Sequence, residues 1–552
     1  MRSTLTNTVE TTSDRAVIYR AATVLHDGLQ EATGMLVRDG QVAEVGDAAA
    51  LATQHGDAQV VDFGDATITP GLIDGHIHAI WGVALARGAN LANCTSLDEV
   101  KDALRAEAER VGADEWVFGY GFEPHLLGDA PVTNDFIHDA VGAERPVYIT
   151  LFDAHSALLS GAALAACQVT ESATFIDGGG FTERPDADER QLTGAARLTG
   201  HVLEWIALDH VQRHVPRIPV AEQADTLYNN LSEMAHTGLV GGYTPDLQNP
   251  DTFAVLEAIE ADRELPVRIR ISPWCTPEMS AEEVDALADM KQHRGRRWEV
   301  EGVKLFIDGT IDGGTAWLEE PDAFGEGTRG FWHDPEQYAR NLRRLNELGV
   351  PTITHAIGDR GVRFVAETIA NLPNNGTRHR IDHLELVADE VIEFIGEHDI
   401  SVCVQPNHCT LFMHADGTDT WSKRLGEPRN KQGWKTRSYL EHGITEALAS
   451  DWPVAPFDPR TIIADAQLRH PHDRNTPPIH PEQALTASEA LTGYTESVPA
   501  SVGRSGAALR VGEPADFTVW ARNPLETPAS ELADVAIVAT AIDGTLVFND
   551  HC

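Results

Sequence analysis

His76-Ile77-His78, His355, His383 and Asp451 each close a short apolar run in this 552-residue sequence. Neutral imidazole nitrogens and a carboxylate oxygen are the donors that zinc and similar divalent ions take, at bonds of ~2.0–2.2 Å. A His-x-His pair alone arises often by chance. Here it follows Pro70-Gly71-Leu72-Ile73-Asp74-Gly75, a turn and apolar strand, and residues two apart on a strand share a face. Lys304 lies inside Val303-Lys304-Leu305-Phe306, in a chain whose only other lysines are Lys101, Lys291, Lys423, Lys431 and Lys435. A buried ammonium is costly and loses its proton more readily. Two readings stand: pairing with Asp308 or Asp312, or uptake of carbon dioxide by the neutral amine to give an anionic carbamate able to bridge two metals.

These residues need elements that bring them together. Eight apolar segments serve as candidate strands: 69–78, 238–246, 267–274, 302–309, 351–359, 379–386, 400–406 and 444–453. Most are separated by stretches of helical composition such as 334–349. Alternating strand and helix predicts parallel βαβ units, and eight of them predict an α/β fold, a (β/α)8 TIM-like barrel spanning 69–507. Active residues then gather at the C-terminal ends of the strands. Residues 16–68 and 508–549 read as short strands and turns, including an Asp39-Gly40 hairpin signal, too few at either end to be stable alone. They predict one small β-sandwich domain built from both termini. A long insertion, residues 84–235, follows the first barrel strand.

The segments PGLIDGHIH, GVKLFIDGT, THAIGDRGV, RIDHLELV and ALASDWPVAPFDP resemble the successive motifs of the amidohydrolase superfamily. More narrowly they resemble the amidohydrolase family 3 group, which includes N-substituted formamide deformylases and proteins labelled exoenzyme regulatory protein. ALTASEALTGYT and VGEPADFTVW are similar to that group's closing motifs, so the resemblance runs from about residue 16 to 548. It implies that His76, His78 and Asp451 bind one metal and His355 and His383 a second, with carboxylated Lys304 as the bridge. One or two ions are expected, with zinc the first choice. Three departures bear on the substrate: Gly242 stands where relatives often show histidine, Asp382 where glutamate is usual, and TGAARLTG lacks the acidic residue that commonly follows it.

The ligands imply metal-activated water as nucleophile and hydrolysis of a carbon–nitrogen bond in an amide, formamide or cyclic amide. Asp451 is the candidate general base and then acid. His155, in Asp153-Ala154-His155, is the candidate oxyanion donor or substrate contact, and Trp81, Gln405 and Arg437 are further candidates for the pocket wall. An ester or phosphoester hydrolase on the same site, or a regulatory homologue without turnover, are the competing readings. Neither His-Glu-x-x-His nor Gly-x-Ser-x-Gly occurs, which weighs against a metalloprotease helix or a serine hydrolase elbow.

Composition sets the setting. With 85 acidic against 42 basic residues the formal charge is −43, spread along the chain, while 42% of residues are hydrophobic, ample for a core. Acid-rich, lysine-poor surfaces suit a salt-rich cytoplasm that screens their repulsion, so a halophilic source is expected. The charge argues against nucleic acid, whose phosphates need cations. Six cysteines in so long a chain do not suggest a disulfide framework. The first 14 residues show no signal-peptide pattern, and no window approaches the ~20 apolar residues of a membrane span. A cytoplasmic protein acting on a small molecule is expected, with a homo-oligomer left open. Gly178-Gly179-Gly180 reads as a turn, Cys403 and Cys409 beside His408 as packing residues, and His470, His472 and His480 as part of a solvent-facing loop.

Overall fold

The computed structural model describes residues 16–550 apart from 93, 129, 176–178, 248 and 278. The N-terminal residues read for a signal peptide, Cys552 and Gly178 therefore lie outside the described residues.

The fold is mixed α/β. Each of the eight segments expected as a strand contains one. Leu72–Asp74, Leu239–Thr244, Arg268–Ile271 and an additional short strand, Trp298–Val300, form one parallel sheet. Val303–Phe306, Thr352–Ala356, His379–His383, Ser401–Val404 and Glu446–Leu448 form a second. The two sheets are tied at both edges. Lys304 N–H donates to the Pro273 carbonyl and the Lys304 carbonyl accepts from Cys275 N–H, both at 2.8 Å, while Gly75 N–H donates to Leu448 O at 3.1 Å. These strands are largely buried because both faces are covered, as parallel sheets require.

Helices between the strands supply the outer cover. Pro335–Glu347 starts at Asp334, whose side chain accepts from Glu336 N–H, with Pro335 at the first helical position, where its missing N–H costs nothing. Its apolar stripe, Tyr338, Leu342 and Leu345, is buried in the main core, and Val362, Val365 and Ala366 of Asp359–Ala370 do the same one unit later.

Strands from both ends of the chain meet in one sheet of eight. Thr67–Pro70 joins its halves, pairing in parallel with Val17–His26 and antiparallel with Phe517–Trp520. Where the sequence suggests a sandwich of two sheets, hydrogen bonding is therefore continuous across a single one. One face packs its own core, with Met35, Ile68 and Phe517, while Trp520 and Ile537 join the main core.

The expected insertion carries a seven-stranded sheet between Ala89 and Leu203. Alternation along Val147–Leu151 sends Val147 and Ile149 into one core and Tyr148 into another, so this sheet is covered on both faces. Helix Val220–His236, inside the same insertion range, instead buries Leu227, Leu231 and Met234 in the main core. Among the described residues no helix is long and apolar enough to cross a membrane, and the five described cysteines are free.

Candidate metal centre

His76 and His78 do not lie on the strand itself, which ends at Asp74. They follow it in an extended segment held from several sides. Buried Asp74 accepts from the N–H groups of His76 and Ser450, so one carboxylate anchors both segments that carry the site. Ile77 N–H donates to Tyr243 O, His78 N–H to Trp452 O, and Asp451 N–H to His76 O. Gly75 is needed here: a Cβ would meet Cys403 Sγ at 2.8 Å and Leu448 O at 2.9 Å. Gly242, the departure from relatives, has a reason of the same kind, since a Cβ there would meet Ile77 Cγ2 at 2.8 Å, between the two histidines.

The ring nitrogens are assigned by their partners. His76 Nδ1 sits 2.5 Å from Asp382 Oδ2 and His78 Nδ1 3.2 Å from Asp246 Oδ2, which places protons on both Nδ1 atoms. Both Nε2 atoms are then left to face the site, and they converge on Asp451 Oδ1 at 3.4 and 3.2 Å. That oxygen is buried and makes no hydrogen bond. Two imidazole lone pairs facing an unpartnered carboxylate oxygen repel one another unless a cation or proton lies between them. His76, His78 and Asp451 form a group close enough to hold a metal ion.

His383 Nδ1 contacts Gln405 Oε1 at 3.1 Å, and His355 Nε2–H donates to the Gly309 carbonyl at 3.1 Å. The free nitrogens are thus Nε2 on His383 and Nδ1 on His355. Their rings are 4.4 Å apart, and the His383 ring is 4.7 Å from that of His76. His383 and Asp451 both occupy left-handed backbone, at φ 80° and 58°. For non-glycine residues this conformation costs on the order of 1–3 kcal/mol and concentrates at functional sites.

Lys304 is fully buried, with Nζ 3.5 Å from His76 Nε2 and 4.8 Å from the Phe306 ring centre. Pairing with Asp308 is ruled out, because the Asp308 carboxylate is spent on the N–H groups of Trp317, Ile357 and Gly358. Asp312 forms no ion pair with Lys304 either; among the described residues no carboxylate lies within ion-pair distance of Nζ. Burial brings the Lys304 amine down to about 8. Burial also drives His76, His355 and His383 well below the usual imidazole range, so all three stand neutral, as ligands must. His78 differs: burial opposes its charge, but the carboxylates of Asp246 and Asp451 facing its two ring nitrogens raise it to about 9, so a proton takes the place between His78 Nε2 and Asp451 when no other cation fills it. Burial would raise Asp451, yet the His76 and His78 imidazoles hold it below the ordinary carboxylate range.

All six expected ligands line one cavity. Trp81 and His155 line it too, with the Trp81 ring 5.3 Å from His78 and the His155 ring 5.4 Å from His355. Gln405 and Arg437 are not among its lining residues. Gln405 stands behind His383 as its hydrogen-bond partner, and Arg437 is bound to Glu489 and the Ala484 carbonyl. Their sequence positions beside a strand end and a helix start do not translate into facing the cavity: Gln405 turns its Oε1 to the back of the His383 ring, and Arg437 is held by Glu489 and Ala484.

Four contributors escape a reading of the sequence. Asp246 and Asp382 orient the histidines. Glu204 holds His155 Nδ1 at 3.1 Å, so an acid does follow the TGAARLTG stretch and reaches the site, from a residue at φ 60°. His408, set aside with the cysteines, lines the cavity with Nε2 3.9 Å from Asp451 Oδ2. Cys403 packs in its strand and Cys409 beside Arg469. His472 pairs with Asp465, and His470 and His480 lie apart from the cavity lining.

Residues 59–548 match the amidohydrolase family model. The chain belongs to the amidohydrolase family. It is 26% identical to YtcJ of Bacillus subtilis (strain 168), over 95% of this chain and 97% of that one. It is 21% identical to the N-substituted formamide deformylase of Arthrobacter pascens, over 93% and 94%. Among solved structures, an uncharacterized metal-dependent hydrolase from Pyrococcus horikoshii OT3 superposes with a TM-score of 0.72 at 20% identity, covering 93% of this chain and 99% of that one. At that identity the likeness speaks for the fold.

Proposed function

We propose that this amidohydrolase-family protein is a metal-dependent hydrolase of a non-peptide carbon–nitrogen bond in a small molecule, built on a closed (β/α)8 barrel. One observation carries the reading: two imidazole lone pairs, each fixed by a carboxylate behind the ring, converge on a buried, unpartnered oxygen of Asp451. His76, His78 and Asp451 would hold one divalent ion, zinc by donor chemistry, and His355 and His383 a second. Lys304, buried without a counter-ion, would bridge them as its carbamate. Metal held there lowers the pKa of water towards ~7 and polarises the carbonyl under attack.

The chain's own residues do the rest. Asp451 accepts the proton of the attacking water and returns it to the leaving nitrogen. His155 is raised in pKa because, although burial opposes its charge, Glu204 and Asp153 favour it. That raised hold on the proton suits the ring to donate to the developing oxyanion. Trp81, Trp205 and Trp274 pack together with ring centres 4.6–5.6 Å apart, Trp274 edge to face with the other two, and present an apolar wall to the bound molecule. The resemblance to a formamide deformylase makes an N-substituted formamide the first substrate to try. The acidic, lysine-poor surface suits a salt-rich cytoplasm.

Chelated and zinc-reconstituted protein should be assayed on matched N-substituted formamides, acetamides, cyclic amides and carboxylic and phosphoric esters. Zinc-dependent cleavage of an amide with little ester cleavage is expected. Preferential ester cleavage would replace the bond assignment, and no turnover by fully metallated protein would favour a regulatory role.

A further inference from the structure

Besides the histidines, the cavity is lined by three carboxylates that neither hold metal nor transfer a proton in the hydrolytic chemistry: Asp153, Asp312 and Glu385. Each comes from the segment after a different strand, Val147–Leu151, Val303–Phe306 and His379–His383. Asp153 Oδ1 accepts from His155 N–H and the Ser156 hydroxyl. Glu385 Oε2 accepts from Trp421 Nε1 at 2.8 Å, and its other oxygen has no partner among the described residues. Asp312 makes no ion pair among the described residues. Arg424 is the cation that acts on it, and that guanidinium is already engaged by Asp322 and Glu326. Burial, with Asp153 and Asp419 nearby, pushes Asp312 up to about 7, as happens to a buried carboxyl that no cation faces directly.

The missing charge has the character of an organic cation. A metal ion needs three or more donors close together, and among the described residues the group that meets this is His76, His78 and Asp451. Asp153, Asp312 and Glu385 are too far apart to share one ion, but several N–H donors on an organic group can reach separate acceptors. The same cavity supplies aromatic faces from Trp81, Trp205 and Trp274, which attract ammonium and guanidinium groups. A further buried polar group faces the same cavity: His408 is 5% exposed, and its Nε2, 3.9 Å from Asp451 Oδ2, has no hydrogen-bond partner among the described residues.

We propose that the substrate carries, besides the amide, a cationic amine or guanidine that is received by Asp312 with Asp153 and Glu385 beside it. This rests on the amidohydrolase reading above and narrows its substrate class. Asp312 is a specificity residue in this account. It touches the cationic end and takes no part in bond cleavage.

The test uses full-length zinc-reconstituted protein and three matched series: mono-N-formylated alkane-diamines, neutral N-alkylformamides of equal length, and N-formyl amino acids. The cationic series should exceed the neutral one in kcat/KM by about ten- to hundred-fold, the range of a hydrogen-bonded charge. In Asp312→Asn that ratio should collapse towards one, while Asp312→Glu should keep most of it. Calorimetric binding of free alkane-diamines reads the same site without turnover, and Asp312→Asn should weaken it at least about tenfold. Equal kcat/KM for cationic and neutral formamides, a preference for the anionic series, or diamine binding indifferent to Asp312→Asn would each overturn the inference and leave the hydrolase reading intact. If no amide is cleaved while diamine binding still depends on Asp312, the hydrolase reading fails and the cation site stands.

Discussion

His76 Nδ1 lies 2.5 Å from Asp382 Oδ2, and this contact decides which nitrogen of the ring faces Asp451. The same carboxylate binds both Nε and Nη2 of the fully buried Arg380. Asp382 thus does two jobs, whereas Asp246, behind His78, does one. Removing carboxylates behind metal-bound histidines costs about 10–100-fold in metal affinity. Asp246→Asn should show that loss in a zinc titration with little change in melting temperature. Asp382→Ala should also destabilise the fold by about 3–5 kcal/mol, because it strands a buried guanidinium. Equal thermal stability of the two variants would refute this division of labour.

Lys304 separates a bridging carbamate from a structural lysine. Lys304→Ala should strip most of the metal and abolish hydrolysis while the fold persists, and a small carboxylic acid added in trans should restore part of the activity. Lys304→Arg should fail equally, since a guanidinium keeps its charge and forms no carbamate. Normal metal content and turnover in the arginine variant would leave the site to the histidines and Asp451 alone.

Arg437 gives a pH-dependent stability effect away from the chemistry. Chiefly through Arg437, Glu489 is held down to about 2 from an ordinary value of 4.5. A depressed carboxylate contributes stability that is fully present above its unfolded-state pKa, and loses it as pH falls through the folded value. Arg437→Ala should therefore be less stable than the parent above pH ~4.5, with the gap closing towards pH ~2, and should retain kcat/KM. A stability gap that is constant across that window, or lost activity at neutral pH, would count against the placement of Arg437 outside the cavity.

Surface charge makes a prediction about salt. At ~0.1 M salt, exposed charges interact over ~10 Å, and at 1 M over ~3 Å. With a formal charge of −43, the protein should gain melting temperature and activity between ~0.1 M and ~2 M potassium chloride. An unchanged melting temperature would remove the argument for a halophilic setting.

Much of this site was legible before any coordinates, because strand periodicity ties apolar runs to the polar residue that ends each one. His355, His383 and Lys304 lie on strands, as their runs suggest. His76 and His78 face the site for another reason than strand alternation: hydrogen bonds to Tyr243, Trp452 and Asp74 hold the loop beyond the strand. Asp246, two residues past the end of Leu239–Thr244, carried a readable signal in its GLVGGYTPD segment. Glu204, Asp312 and His408 did not, since Glu204 meets His155 from the insertion and the other two reach the cavity from a loop and a short helix, all placed by tertiary packing. Gln405 and Arg437 show the opposite failure: polar residues in plausible positions that bind His383 and Glu489 and do not line the cavity.

Anomalous diffraction at the zinc edge, from crystals grown with zinc and bicarbonate, tests the metal centre most directly. The account predicts a peak bonded at ~2.0–2.2 Å to the Nε2 atoms of His76 and His78 and to Asp451. A second peak should lie beside His355 and His383, with density for a carbamate on Lys304 joining the two. Zinc bound elsewhere, or no zinc among these residues at saturating concentration, would contradict it.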